Sequence, residues 1–148
     1  MQSITRTALF STLLAASSFL GGCATTSKTT KKSLYDRLGG KPAITAVVED
    51  FVGKVGADAR INARFANADM PHLKAMLVEQ ICQASGGPCK YTGKDMKTSH
   101  TGMNITNDEF NALVEDLGKT LNQFNVPADA QKDLVGALAP MQPDIVGH

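Results

Sequence analysis

Tryptophan is absent from this 148-residue chain and only two tyrosines are present, so it offers no aromatic platform for stacking single-stranded nucleic acid. Its net charge is +1, which removes the phosphate attraction that drives nucleic-acid binding in general. The three cysteines and three histidines fall in no CxxC or HxxxH spacing. A zinc site, which wants about four protein ligands or three plus water, therefore has no framework. No apolar run reaches the roughly 18 residues of a membrane-spanning helix, and the two-residue alternation of strands is not found. What is there is a chain 43% hydrophobic and 20% charged, enough for one globular core.

The first 22 residues read as a signal segment. "MQSITR" carries one positive charge and "ALFSTLLAASSFL" is an apolar run of 13, too short to cross a bilayer. The run ends in "LGGC", Leu20 to Cys23, which resembles the lipobox of bacterial lipoproteins. That resemblance implies cleavage before Cys23, lipidation of its thiol, and a stable anchor in the membrane, because each buried CH₂ adds about 0.8 kcal/mol. Ala24 follows rather than an inner-membrane aspartate, which favours the periplasmic face of the outer membrane. Residues 23–32 continue as a tether with three lysines and no large apolar side chain. The folded domain is expected over 33–148, where 11 basic and 14 acidic residues leave it mildly acidic.

That domain is all-α. Ile44, Val47, Val48, Phe51, Val52 and Val55 recur at helical spacing, as do Leu73, Met76, Leu77, Ile81 and Ala84. "SGGP" at 85–88 ends the second stripe. "TNDE" at 106–109 forms a capping box ahead of Phe110, Leu113, Val114, Leu117, Leu121 and Phe124. A last helix begins near Pro127 and shows Leu134, Val135, Leu138 and Met141, with Pro140 shortening or kinking it. Five or six helices are predicted, the two C-terminal ones long.

His100 lies in "KDMKTSHTGMNIT". A helix there would place Met96 and Met103 on its face. A lone histidine in such a stripe is either a hydrogen-bonded core residue or a ligand to haem, the one metal group for which a single imidazole suffices. The absence of CxxCH excludes covalent attachment of the c type. Periodicity leaves the two readings open.

Five stretches occur in order: "SLYDRLGG" at 33–40, "VVEDF" at 47–51, "RFANADMPHLK" at 64–74, "GGPCKYTGKDMKTSHTGMNIT" at 86–106 and "LAPMQPDIV" at 138–146. Together they resemble the group 1 truncated haemoglobins. The resemblance implies a truncated globin fold, a two-over-two helical sandwich turned at Gly39–Gly40 and Gly86–Gly87, holding non-covalent haem b. It implies His100 as the proximal iron ligand, with Met96 and Met103 packing beside it. It places Phe65 on the haem face and Phe51, Val52, Leu73, Leu77 and Ile81 in the wall. Tyr91 and Lys97 fall at the rim, where Lys74, Lys90, Thr92 and Lys94 are further candidates for the propionates.

The distal side departs from that pattern. Val52 stands where relatives commonly carry tyrosine, and Leu77 where they often carry glutamine. Each missing hydrogen bond to a bound gas is worth about 1–3 kcal/mol in a dry pocket. Reversible binding of O₂, NO or CO is therefore expected in preference to a haem redox enzyme, whether nitric-oxide detoxifying or peroxidase-like. Met76 is a candidate sixth ligand, which would make an electron-transfer pair with His100. His72 is expected to face solvent. A haem-free shell binding a partner is disfavoured, since it has no use for an imidazole in an apolar cleft. Cys82 and Cys89 flank "QASGGP" and are expected to form a disulfide outside the cytoplasm. A monomer served by an unknown reductase completes the expectation.

Overall fold

A computed structural model describes residues 32–148. The expected signal segment, Cys23 and the tether up to residue 31 lie outside the described residues. Six α-helices follow: α1 (Leu34–Arg37), α2 (Gly40–Ala57), α3 (Met70–Ala84), α4 (Met96–His100), α5 (Asn107–Gln123) and α6 (Ala128–Leu138). Two 3₁₀ segments, Asn62–Phe65 and Ala139–Asp144, complete the set. There is no strand among the described residues, only an isolated bridge between Ile105 and Val146.

Local chemistry sets the helix ends. Ser33, Asp69 and Asp95 each accept a backbone N–H from the first turn of the helix they precede, satisfying donors that have no partner within the helix. Thr106 and Glu109 form the reciprocal capping box of α5. Gly39 and Gly40, at φ 88° and 73°, turn α1 into α2 through backbone conformations that side chains with a Cβ resist.

The apolar stripe of α2 is buried along its whole length, from Ile44 to Val55. It packs against α3 and α5, while α6 packs on α3 and α5. The result is one helix pair, α2 with α3, laid over another, α5 with α6. Ile44, Leu121 and Leu134 are among the most buried side chains, and each such burial stabilises by about 1.5–3 kcal/mol. Arg37 binds Asp129 at 2.8 Å and Asp133 at 2.5 Å, joining α1 to α6.

Two features differ from the sequence expectation. The C-terminal helices are not a long pair: α5 has 17 residues but α6 only 11, shorter than the 18 of α2 and 15 of α3. Pro140 and Pro143 lack the N–H groups an α-helix would use, so the chain continues as 3₁₀. Phe124 caps the end of α5 and is 38% exposed, so the buried stripe stops at Leu121.

Candidate functional site

Between the helix pairs lie three adjoining cavities of about 180, 80 and 110 Å³. Leu113 of α5 and Ile145 line all three. His100 and Phe65 line the first and second. Phe51, Leu77, Gln80 and Met96 line the first and third. The space is thus one apolar cleft with α3 on one side and the short α4 on the other.

The α4 segment is held from both ends. Before it, Gln83 of α3 accepts the Tyr91 backbone N–H at 2.7 Å. Glu79 accepts the Thr92 N–H and hydroxyl at 2.9 and 2.7 Å, and the Thr92 contacts hold the Glu79 carboxyl below its usual range. The Tyr91 hydroxyl donates to the Lys94 carbonyl at 2.8 Å. After it, the Asn104 N–H donates to the His148 carbonyl at 2.5 Å and the Gly147 N–H to Ile105 at 2.9 Å.

Within this frame the His100 Nδ1 lies 2.7 Å from the Met96 carbonyl oxygen. Since a carbonyl only accepts, Nδ1 carries a proton, and in the neutral ring the lone pair then belongs to Nε2. Metal-ligating histidines are fixed in this manner by a backbone acceptor. Among the described residues no cluster of three His, Cys, Asp or Glu could hold a bare metal ion, so an imidazole in this cleft suits a metal that brings its other ligands with it. An apolar slot with one oriented imidazole fits a porphyrin iron.

The positions singled out from the sequence fall as follows. Phe51, Val52, Phe65, Leu73, Met76, Leu77, Tyr91, Met96 and His100 line the first cavity. Met103 lines the second and Ile81 the third. Met103 is not on the histidine's helix, because α4 stops at His100 and Gly102, at φ 83°, turns the chain. Lys97 is exposed and lines none of the three, since α4 turns Met96 and His100 inward and Lys97 away. Lys90 and Lys94 are exposed, and Lys74 is ion-paired with Glu49. His72 is exposed. Cys82 and Cys89 have their Cα atoms 5.7 Å apart and their sulfurs 2.00 Å apart.

The sequence reading missed Arg64, Gln80, Met70, Met141 and Ile145. Periodicity gave no cue for Arg64 or Ile145, which lie outside the long helices. All five methionines of the described residues line the cleft. Arg64 binds Glu109 through Nε at 2.7 Å and Nη2 at 3.1 Å, and donates to the Met103 carbonyl at 2.8 Å. With the Thr106 N–H also donating to it, the Glu109 carboxyl is lowered from 4.5 to about 2. A depressed folded pKa contributes stability that is complete above about 4.5 and is lost as pH falls towards about 2. Acid titration should therefore show Glu109→Gln less pH-dependent than the parent across that window. Equal slopes would mean that the ion pair does not persist in solution.

A helical sandwich enclosing an apolar slot with one oriented histidine is the architecture of a small globin. The family profile described as "Bacterial-like globin" matches residues 33–146. The group 1 truncated hemoglobin GlbN of Mycolicibacterium paratuberculosis is 39% identical over 113 residues, covering 76% of this chain and 83% of the relative. That of Tetrahymena pyriformis is 34% identical over 116 residues, covering 78% and 96%. The crystal structure of truncated hemoglobin from Tetrahymena pyriformis in its Fe(III) form superposes with a TM-score of 0.77 at 33% identity, over 79% of this chain and all of that one. The 2/2 hemoglobin of Synechococcus, solved in the cyanomet state with covalently attached heme, gives 0.73 at 33% identity, covering 78% and 98%. The chain belongs to the bacterial-like globin family, as a truncated haemoglobin of group 1 with the two-over-two fold.

Proposed function

We propose that the protein holds haem b non-covalently and reversibly binds a diatomic gas, O₂, NO or CO. The observation that carries this is His100: it lines the cleft, and its Nδ1 is spent on the Met96 carbonyl at 2.7 Å, which leaves Nε2 to donate to iron. When bound, the porphyrin iron supplies an open coordination position for the gas. The chain's part is to orient the imidazole, to cover the ring with Phe51, Phe65, Leu73, Leu77, Met96 and Met103, and to exclude water. Val52 and Leu77 present hydrocarbon to the gas side, which suits a carrier that releases its ligand. Absorption spectra of the ferric, ferrous and CO-bound protein test the reading; no Soret band on adding haemin would refute it.

Met76 lines the same cavity as His100, which favours one second reading: a methionine–histidine ligand pair suited to electron transfer. The ferric near-infrared spectrum separates the two, since thioether ligation gives a sulfur-to-iron band and its absence ends this alternative.

The setting is proposed alongside. "LGGC" at 20–23 supports a lipid-anchored protein facing the periplasm, supplied with electrons by a reductase; palmitate labelling that survives Cys23→Ser would refute it. An oxidising compartment and a Cα separation of 5.7 Å support a Cys82–Cys89 disulfide. Closing so short a loop stabilises by about 2–3 kcal/mol. Reduction should then raise the intact mass by two daltons and lower the melting temperature; an unchanged mass would refute the bridge.

A further inference from the structure

Glu79 and Gln83 lie one turn apart on α3, and both reach the segment that leads into α4. Gln83 Oε1 accepts the Tyr91 N–H at 2.7 Å. Glu79 Oε2 accepts both the N–H and the hydroxyl of Thr92, at 2.9 and 2.7 Å. Two residues before Tyr91, the Cys89 sulfur meets that of Cys82 on the same helix. Only Gly93, Lys94 and Asp95 then separate Thr92 from Met96, where α4 begins. That stretch has little slack. The Tyr91 hydroxyl donates to the Lys94 carbonyl at 2.8 Å, and a Cβ on Gly93 would lie 2.4 Å from the same hydroxyl. Asp95 next caps α4 through the Thr98 N–H at 2.8 Å. A grip on residues 91–92 is therefore carried to His100 by a short, internally bonded segment.

We propose that Glu79 and Gln83 are positioning residues for the iron ligand: by holding residues 91–92 to α3, they fix the distance and tilt of the His100 imidazole relative to a haem in the cleft. The inference rests on the haem reading given above. The Met96 carbonyl decides which ring nitrogen faces the iron; the two acceptors on α3 decide where α4 stands. Because Leu73, Met76 and Leu77 of α3 line the main cavity, one helix both walls the haem and sets the segment that ligates it. Hydrogen bonds to an ionised group are roughly twice as strong as neutral ones, so Glu79, with two donors on one carboxylate oxygen, carries the larger share.

The test uses the full chain loaded with haemin and reads two quantities. One is the rate at which ferric haem passes to excess apomyoglobin; the other is the iron–histidine stretching band of the ferrous, gas-free protein. Glu79→Ala should speed haem loss about tenfold and Gln83→Ala about threefold, each with a shifted and broadened band. Glu79→Gln keeps an oxygen that accepts from Thr92, so it should stay near the parent. Thr92→Val removes only an exposed hydroxyl and should move both readouts in the direction of Glu79→Ala, by less. A merely structural role would lower the melting temperature and leave the band in place. The proposal is overturned if the two alanine variants and Thr92→Val keep the parent band and loss rate, whatever their melting temperatures. It is overturned equally if Glu79→Gln departs from the parent as far as Glu79→Ala, since charge and not acceptance would then be at work. A parent protein with no Soret band would refute the haem reading itself, whereas a normal parent with indifferent variants refutes this proposal alone.

Discussion

Replacing His100 with glycine should abolish the normal Soret band of the haemin-loaded protein, and free imidazole should restore it. The ring is positioned, not merely present. Asp95 caps α4 through the Thr98 N–H at 2.8 Å, and the Met96 carbonyl fixes the ring nitrogen facing it. The remaining contacts to the porphyrin would be apolar and give orientation little help. Losing an outer-shell partner of a metal ligand costs about 10–100-fold in affinity, so deleting the ligand should exceed the upper end of that range. Free imidazole fits the space the side chain vacates and brings back the lone pair without the tether. A spectrum indifferent to the deletion would show that another group holds the iron, and the functional proposal would fall.

The second large effect is expected at Gly87, which lines none of the three cavities. A Cβ there would lie 2.4 Å from Cδ2 of Tyr35 and 2.8 Å from the Cys82 carbonyl oxygen. Neither neighbour has room to yield. The Tyr35 hydroxyl accepts the Lys41 N–H at 2.9 Å, and its backbone N–H donates to Ser85 at 3.0 Å. The Cys82 carbonyl accepts the Gly87 N–H at 2.8 Å. Gly87→Ala should therefore cost about 3 kcal/mol, which lowers the melting temperature by roughly 10 °C in a domain of this size. Gly86→Ala is the contrast: that residue has φ +79° but open space around it, so only the backbone conformation is penalised, by about 1–2 kcal/mol. Thermal denaturation monitored by circular dichroism compares the two. An unchanged melting temperature for Gly87→Ala would mean that α1 and the end of α3 do not meet as described.

Much of this architecture was legible from the chain itself. The stripe from Ile44 to Val55 marked the buried face of α2, since a helix repeats every 3.6 residues and water is excluded from one side. Thr106 and Glu109 marked the start of α5, because unpaired N–H groups there require an acceptor. Met96 and His100, four residues apart, marked the inward face of α4. The expectation that this helix ran on to Met103 failed at Gly102, where the chain turns.

What the sequence determined by itself is the helical class and several helix ends, because each depends on spacing along the chain and on local hydrogen bonding, and the family, through motifs that occur in order along it. Which helices lie opposite one another was decided only by tertiary packing. That packing brings Gln80 against two methionine sulfurs, closes Arg64 on Glu109 across 45 residues, and sets Ile145 into all three cavities. Periodicity gives a side chain its face on its own helix. Its partner across the cleft depends on contacts between distant segments, which are fixed only when the whole core closes.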